Sequence, residues 1–228
     1  MSKCEQCIVR QLNSLKSLTK KELTRISSCK TSTIIKKGEV IFDEGEHLNG
    51  VYCISSGISK VSKMSSNGRE QILFLIHKGD IIGERSLVSD EVANLKATAI
   101  SDMEVCFIPR EEIITDLHEN PDFTMSVLKD LAASLKNADN IIVDMAQKTV
   151  KQRLAEMLLY LDTKFGHDAD AVLNIHLSRE DIANMIGTAT ESAIRLLSEF
   201  KKEGTIGLKG KNISLINTTH LKKIAQGF

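Results

Sequence analysis

The chain reads as an α+β protein: a β-rich N-terminal half, one long helix, then a small helical unit that ends in a hairpin. Three observations predict this. Between residues 31 and 110, short apolar stretches alternate with turn glycines (Gly38, Gly45, Gly57, Gly68, Gly79, Gly83), spaced at about ten residues as in a small barrel or sandwich of short strands. From Pro121 to about Lys148, apolar residues recur at three- and four-residue steps, the period of a helix. Residues 177–213, LSREDIANMIGTATESAIRLLSEFKKEGTIGLKGKNI, hold two amphipathic segments that meet at a glycine and run into a hairpin pattern.

The bulk properties narrow the functional classes. At 228 residues the chain suits one or two domains, each able to bury a core. Its 42% hydrophobic and 26% charged residues are ordinary for a globular protein. No apolar run approaches the ~20 residues of a membrane span, and MSKCEQCIVRQL lacks the apolar core of an export signal. A cytoplasmic location without a membrane partner is therefore expected. Net charge is zero, but from residue 171 onward eight Lys/Arg stand against five Asp/Glu. That local excess is of the sign phosphate contacts require. The six histidines are scattered, with no nucleophile motif, HExxH helix or GxxxxGK[ST] loop. Catalysis is not expected, and no residue is assigned to it.

Taken in order, the chain starts with Cys4 and Cys7 in a CxxC, a helix over Lys20–Ser27 with Leu18, Leu23 and Ile26 apolar, and Cys29. In a reducing compartment a CxxC suggests metal, cluster or redox chemistry more than a structural disulfide. Alone it is half a tetrahedral site. In the β-rich part Asn67-Gly68 is the strongest hairpin signal. Cys53 (VYCIS) and Cys106 (EVCFI) stand in apolar strand contexts that suit buried free thiols. Pro121 fits the first position of a helix. In that helix Leu128, Leu131, Leu135, Ala138, Ile142 and Met145 form a narrow seam, with Ser134, Asn137, Asp139 and Asn140 on other faces. Such a seam predicts a two-stranded dimer contact. Packing of the same helix on its own β-domain is compatible with it. A further helix over Val150–Phe165 turns Leu154, Met157, Leu158 and Leu161 inward. The domains expected are 1–120, a 121–148 dimerisation helix, and 149–228.

In the last unit, Ser178 and Asp181 form a capping-box start for a helix whose apolar face is Ile182, Met185 and Ile186. Gly187 ends it. The second helix buries Ala193, Leu196, Leu197 and Phe200 and presents Thr190, Glu191, Ser192, Arg195 and Glu199. Helix, tight turn, helix and hairpin make a winged helix-turn-helix. Arg195 can donate twice to guanine and Glu191 can accept from cytosine. At four residues apart they share one face. The plainer readings are an i,i+4 ion pair and a Thr188–Glu191 capping box. Candidate DNA contacts are Ser178, Arg179, Thr190, Glu191, Ser192 and Arg195, with Lys209 and Lys211 on the wing.

These parts in this order, with KKGEVIFDEGE (36–46), GISK (57–60), GDIIGE (79–84) and LSREDIANMIG followed by ESAIRLL, resemble the CRP/FNR family of bacterial transcription regulators over almost the whole chain. The resemblance implies a cyclic-nucleotide-binding-like β-roll (jelly roll), a long dimerisation helix, and a homodimer on palindromic double-stranded DNA. It further implies contact with RNA polymerase. An effector pocket would include Gly83, Glu84, Arg85, Ser86 and Asn94. The cyclic-AMP branch follows its GE motif with a later Arg-Ser pair, where this chain reads Val92-Ala93-Asn94-Leu95. Cyclic AMP is therefore not expected, since a phosphate buried without a cation is costly. The FNR branch holds a [4Fe–4S] cluster on an N-terminal cysteine triplet and a later strand cysteine. Cys4, Cys7 and Cys106 match three of those positions as candidate iron–sulfur ligands, and Asn13 falls at the third triplet position. Thr190, where the cyclic-AMP branch has arginine, favours an FNR-like half-site containing TGA. The alternative is an effector-binding regulatory module whose helix-turn-helix contacts protein rather than DNA.

Overall fold

A computed structural model describes residues 4–227. The chain divides into two compact units, one of residues up to Lys63 with Leu73–Ala138, the other of Met64–Ile72 with Asp139 onward.

The first unit begins with three short 3-10 turns (Cys4–Gln6, Ile8–Leu12, Ser14–Ser17) and helix α1 (Lys20–Cys29). Thr19 starts α1 through a capping box with Glu22. The strands are β1 (Thr31–Ile35), β2 (Val40–Phe42), β3 (Gly50–Ser56), β4 (Ser59–Met64), β5 (Glu70–Ile76), β6 (Ile81–Ile82), β7 (Lys96–Ala99) and β8 (Met103–Pro109). They form two four-stranded sheets, ordered β1-β8-β3-β6 and β2-β7-β4-β5. The turn at Asn67-Gly68 joins β4 to β5, with Gly68 at φ 77°, a region open to glycine at little cost. Ile35, Phe42, Ile54, Val61, Ala97, Met103 and Val105 make up much of the roll's interior.

Strand alternation divides the outer sheet between two cores. On β3, Ile54 and Tyr52 join the interior, while Val51 and Cys53 face a second cluster with Leu23 and Ile26 of α1. On β8, Met103 and Val105 face in, while Cys106 and Ile108 face the second cluster. That cluster is completed by α3 (Arg110–Glu119) through Ile113 and by α4 (Pro121–Gln147) through Phe123 and Val127. The Arg25 guanidinium ties α1 to α3, bonding Glu112 at 2.5 Å and the fully buried Asp116.

Two departures from the sequence expectation stand out here. Residues 31–110 are not all β, because Glu84–Ser89 form a helical turn, α2, entered through Gly83 at φ 99°. Arg110–Glu119 is a helix that the apolar pattern hides, since one of its buried positions is Asp116.

Helix α4 begins at Pro121 and serves both purposes expected of it. Phe123 and Val127 are buried, with Leu131 packed beside them, whereas Leu128, Leu135 and Ile142 are 50%, 64% and 66% exposed. These exposed residues recur every seven positions.

In the second unit, α5 (Val150–Phe165) starts at a Thr149–Gln152 capping box and buries Leu154, Leu158 and Leu161. It is followed by α6 (Arg179–Ile186), α7 (Thr190–Lys202), the hairpin β9 (Ile206–Lys209) and β10 (Asn212–Leu215), and α8 (Thr218–Ala225). Helix α8 was not expected. Asn217 caps it, and Leu221 and Ile224 bury its inner side.

Candidate nucleic-acid interface and thiol cluster

Helix α6 starts as the sequence reading expects. The Ser178 hydroxyl accepts from the Asp181 amide at 2.9 Å and donates to its carboxylate at 2.6 Å. Ser178 is thus committed to the cap. Gly187 follows at φ 65°, in the left-handed region that favours glycine at a helix end. A guanidinium that the sequence reading missed fixes this turn. Arg153 of α5 donates to the Ile186 carbonyl at 2.8 Å and to the Lys148 carbonyl at 2.6 Å. It thereby ties the chain just beyond α4 to the turn. Its only sequence signal is a basic residue on an otherwise apolar face.

Helix α7 buries Ala193, Leu197 and Phe200 and exposes Glu191 and Arg195, with Thr190 and Ser192 half-buried. Both plainer readings of Glu191 fail against the geometry. Ala189, not Thr188, is the N-cap, and no side chain caps this end. Among the described residues no ion pair joins Glu191 to Arg195. Glu199 is instead drawn to α5, where Lys151 bonds it at 2.5 Å and holds its carboxyl below the usual carboxylate range. At the wing, Lys209 and Lys211 are exposed on either side of Gly210. Arg179 donates to the Gly210 carbonyl at 2.7 Å, so this candidate DNA contact also anchors the wing tip to the start of α6.

The thiols gather on the outer face of the β3/β8 sheet. Cys53 and Cys106 are register partners across β3 and β8, and Cys4 and Cys7 pack into the same cluster. Lys30 reaches in among them, with its ammonium 3.7 Å from the Cys106 sulfur. Burial disfavours that charge, but the Cys4 and Cys106 sulfurs outweigh burial and raise its pKa. Ser32 lies 3.5 Å from Cys106. Burial, with the neighbouring Cys106, Cys7 and Cys4, pushes the Cys53 thiol up to about 12. Asn13 is no ligand here; its amide donates toward the Cys53 sulfur at 3.6 Å and to the Gly79 carbonyl at 3.0 Å. Cys53, treated from its apolar context as an isolated thiol, therefore belongs with Cys4, Cys7 and Cys106. Cys29 does not, since its sulfur bonds the Arg25 and Ile26 carbonyls and its pKa is raised by burial and by Glu112. The four thiols suit a soft metal centre in donor type. In spacing they do not close around one, for among the described residues no three donors are near enough to share an ion.

The five effector-pocket candidates do not converge through their contacts. Glu84 accepts from Ser14 at 3.4 Å, and burial, with Asp130 of α4 nearby, pushes its carboxyl up to about 7. The Asn94 carbonyl is taken by Lys63, which also pairs with Glu44. Gly83 caps α2, Arg85 is exposed, and Ser86 is buried.

Comparison with known proteins matches both halves. The family model for the cyclic nucleotide-binding domain matches residues 33–120, and the model for the Crp-like helix-turn-helix domain matches residues 152–224. The chain is 29% identical over 226 residues to the fumarate and nitrate reduction regulatory protein of Vibrio cholerae, covering 97% of this chain and 90% of that one. It is 28% identical over 192 residues to a CRP-like cAMP-activated global transcriptional regulator of Mycobacterium tuberculosis, covering 83% and 86%. Among solved structures, FixK2 from Bradyrhizobium japonicum matches with a TM-score of 0.77 at 27% identity, covering 85% of this chain and 96% of that one. No helix among the described residues is long and apolar enough to cross a membrane. A cyclic nucleotide-binding-type domain, a long helix and a DNA-binding helix-turn-helix in this order make the chain a member of the CRP/FNR family of transcription regulators.

Proposed function

We propose that the chain acts as a homodimer on a palindromic DNA site whose half-sites contain TGA. The observation that carries this reading is the free polar face of α7, where Glu191 and Arg195 are exposed and not paired with each other. Arg195 would donate to the guanine and Glu191 would accept from the cytosine paired with it. Thr190 and Ser192 flank them, and Lys209 and Lys211 on the wing would take phosphates. The exposed Leu128, Leu135 and Ile142 of α4 supply the dimer seam. Ala138, Leu131 and Met145 lie on its flank. Two-fold symmetry would place the paired recognition helices in grooves about one helical turn apart. Selection from random duplexes tests this reading. Inverted TGA half-sites at that spacing are the expected result; a failure to enrich any sequence refutes it and favours a helix-turn-helix that binds protein.

The gathering of four cysteines favours a second element, a sensory role for the first unit through thiolate chemistry. Cys4, Cys7, Cys53 and Cys106 are its residues, as iron–sulfur ligands or as thiols that oxidise reversibly. Iron and acid-labile sulfide, assayed on protein purified without oxygen, separate the two. Cluster-level amounts support ligation, and metal-free protein whose DNA affinity responds to peroxide supports the thiols alone. Metal-free protein indifferent to oxidants would refute the sensory role.

A further inference from the structure

The solvent face of α7 comprises Glu191, Ile194, Arg195 and Ser198, spaced i, i+3, i+4 and i+7. Three of these are polar, as a surface bound for a DNA groove requires. Ile194 is the exception, 45% exposed while Ala193, Leu197 and Phe200 on the opposite side are buried. A β-branched side chain is a poorer helix former than alanine or a long straight one. Its exposed part adds nothing to the core of its unit. Fold stability therefore gives no reason for isoleucine at this position, and the reason has to be sought in what the face meets.

We propose that Ile194 is a specificity-determining residue that packs on the 5-methyl group of a thymine next to the guanine read by Arg195. The inference rests on the proposed reading of α7 as the recognition helix. In the major groove the thymine methyl is the apolar group that a base pair offers, beside donors and acceptors that the other bases present. Ile194 adjoins Arg195 in sequence and lies one helical turn from Glu191, so a base pair beside the G·C pair is the one within its reach. In a TGA half-site a thymine flanks that pair on either side, one on each strand. Ile194 desolvates one of the two.

Uracil differs from thymine by that methyl group alone, which makes the contact testable in isolation. Binding of wild type and Ile194→Ala would be measured by fluorescence anisotropy at fixed salt. The duplexes carry the symmetric site, or the same site with either flanking thymine replaced by uracil in both half-sites. Wild type should lose about fourfold per half-site, the worth of one buried methyl group, hence about fifteenfold on the two-fold site, at one of the two thymines. Ile194→Ala should bind thymine and uracil duplexes equally. The exposed position and the better helix propensity of alanine keep the variant folded, and Ile194→Ser provides a second check. Wild type indifferent to both replacements, or variants that keep the same penalty, would overturn the inference while leaving specific binding intact. Wild type that binds the thymine site no better than scrambled DNA would overturn the reading of α7 as well.

Discussion

Replacing Glu84 with glutamine should stabilise the protein at alkaline pH and leave it unchanged near pH 5. Glu84 is buried beneath Ser14, with Asp130 of α4 facing it and Lys16 beside Asp130. Burial first, then Asp130, lifts its carboxyl from 4.5 to about 7. The folded protein therefore holds this proton more tightly than the unfolded chain does. Below pH 4.5 the carboxyl is protonated in both states and costs nothing. As pH rises through 7 the folded state must either keep the proton against the solution or bury a charge, and stability falls. The full difference corresponds to about 3 kcal/mol above pH 7, at 1.36 kcal/mol per pH unit. Glutamine keeps an oxygen for Ser14 and carries no charge. Thermal melts of wild type and Glu84→Gln from pH 5 to 9 should diverge with rising pH, reaching about 6–12 °C for a chain of this size. A constant offset, or none, would refute the account of Glu84 as a carboxyl held neutral by its surroundings.

Other outcomes follow from the same structure. Arg153→Ala removes charged donors from the Ile186 and Lys148 carbonyls and should cost about 2 kcal/mol in thermal or urea unfolding. Lysine should not rescue it, because one ammonium does not span both carbonyls as a guanidinium fork does. Leu135→Glu places like charges in the exposed seam of α4 and should turn a dimer into a monomer in sedimentation; an unchanged mass would refute the seam. If the thiol cluster ligates iron, Cys53→Ser should lower bound iron and sulfide as much as Cys106→Ser, and Cys29→Ser should not. The reverse order would remove Cys53 from the set.

The C-terminal unit was largely legible in the sequence because its signals are local. Ser178, Asp181 and Gly187 mark the ends of α6 by chemistry that acts over a few residues, and the apolar period of α7 is clean. Helix α2 was hidden because Gly83-Glu84 reads equally as a turn, and α3 because a buried Asp116, held by Arg25, breaks its apolar pattern. The thiol cluster was half legible. Alternation along VYCIS puts Cys53 on the opposite face from Tyr52 and Ile54, but it does not say which face receives the N-terminal segment. That is fixed by the pairing of β3 with β8, between residues more than fifty positions apart. Asn13 was visible as a departure from the FNR pattern, whereas its hydrogen bond to Cys53 depends on the folded path. The wing anchor from Arg179 to Gly210 likewise joins residues 31 positions apart.

The account centres on sequence-specific DNA binding through α7, and Arg195→Ala tests it most directly. Wild type and variant would be titrated at one salt concentration against the symmetric TGA site, the same site with its guanines changed, and a scrambled duplex. The account predicts that the variant loses about 1–3 kcal/mol of discrimination at the guanine while its affinity for scrambled DNA stays near that of wild type. An equal loss on all three duplexes would contradict it, leaving Arg195 as a general phosphate contact and the helix without direct readout at that base.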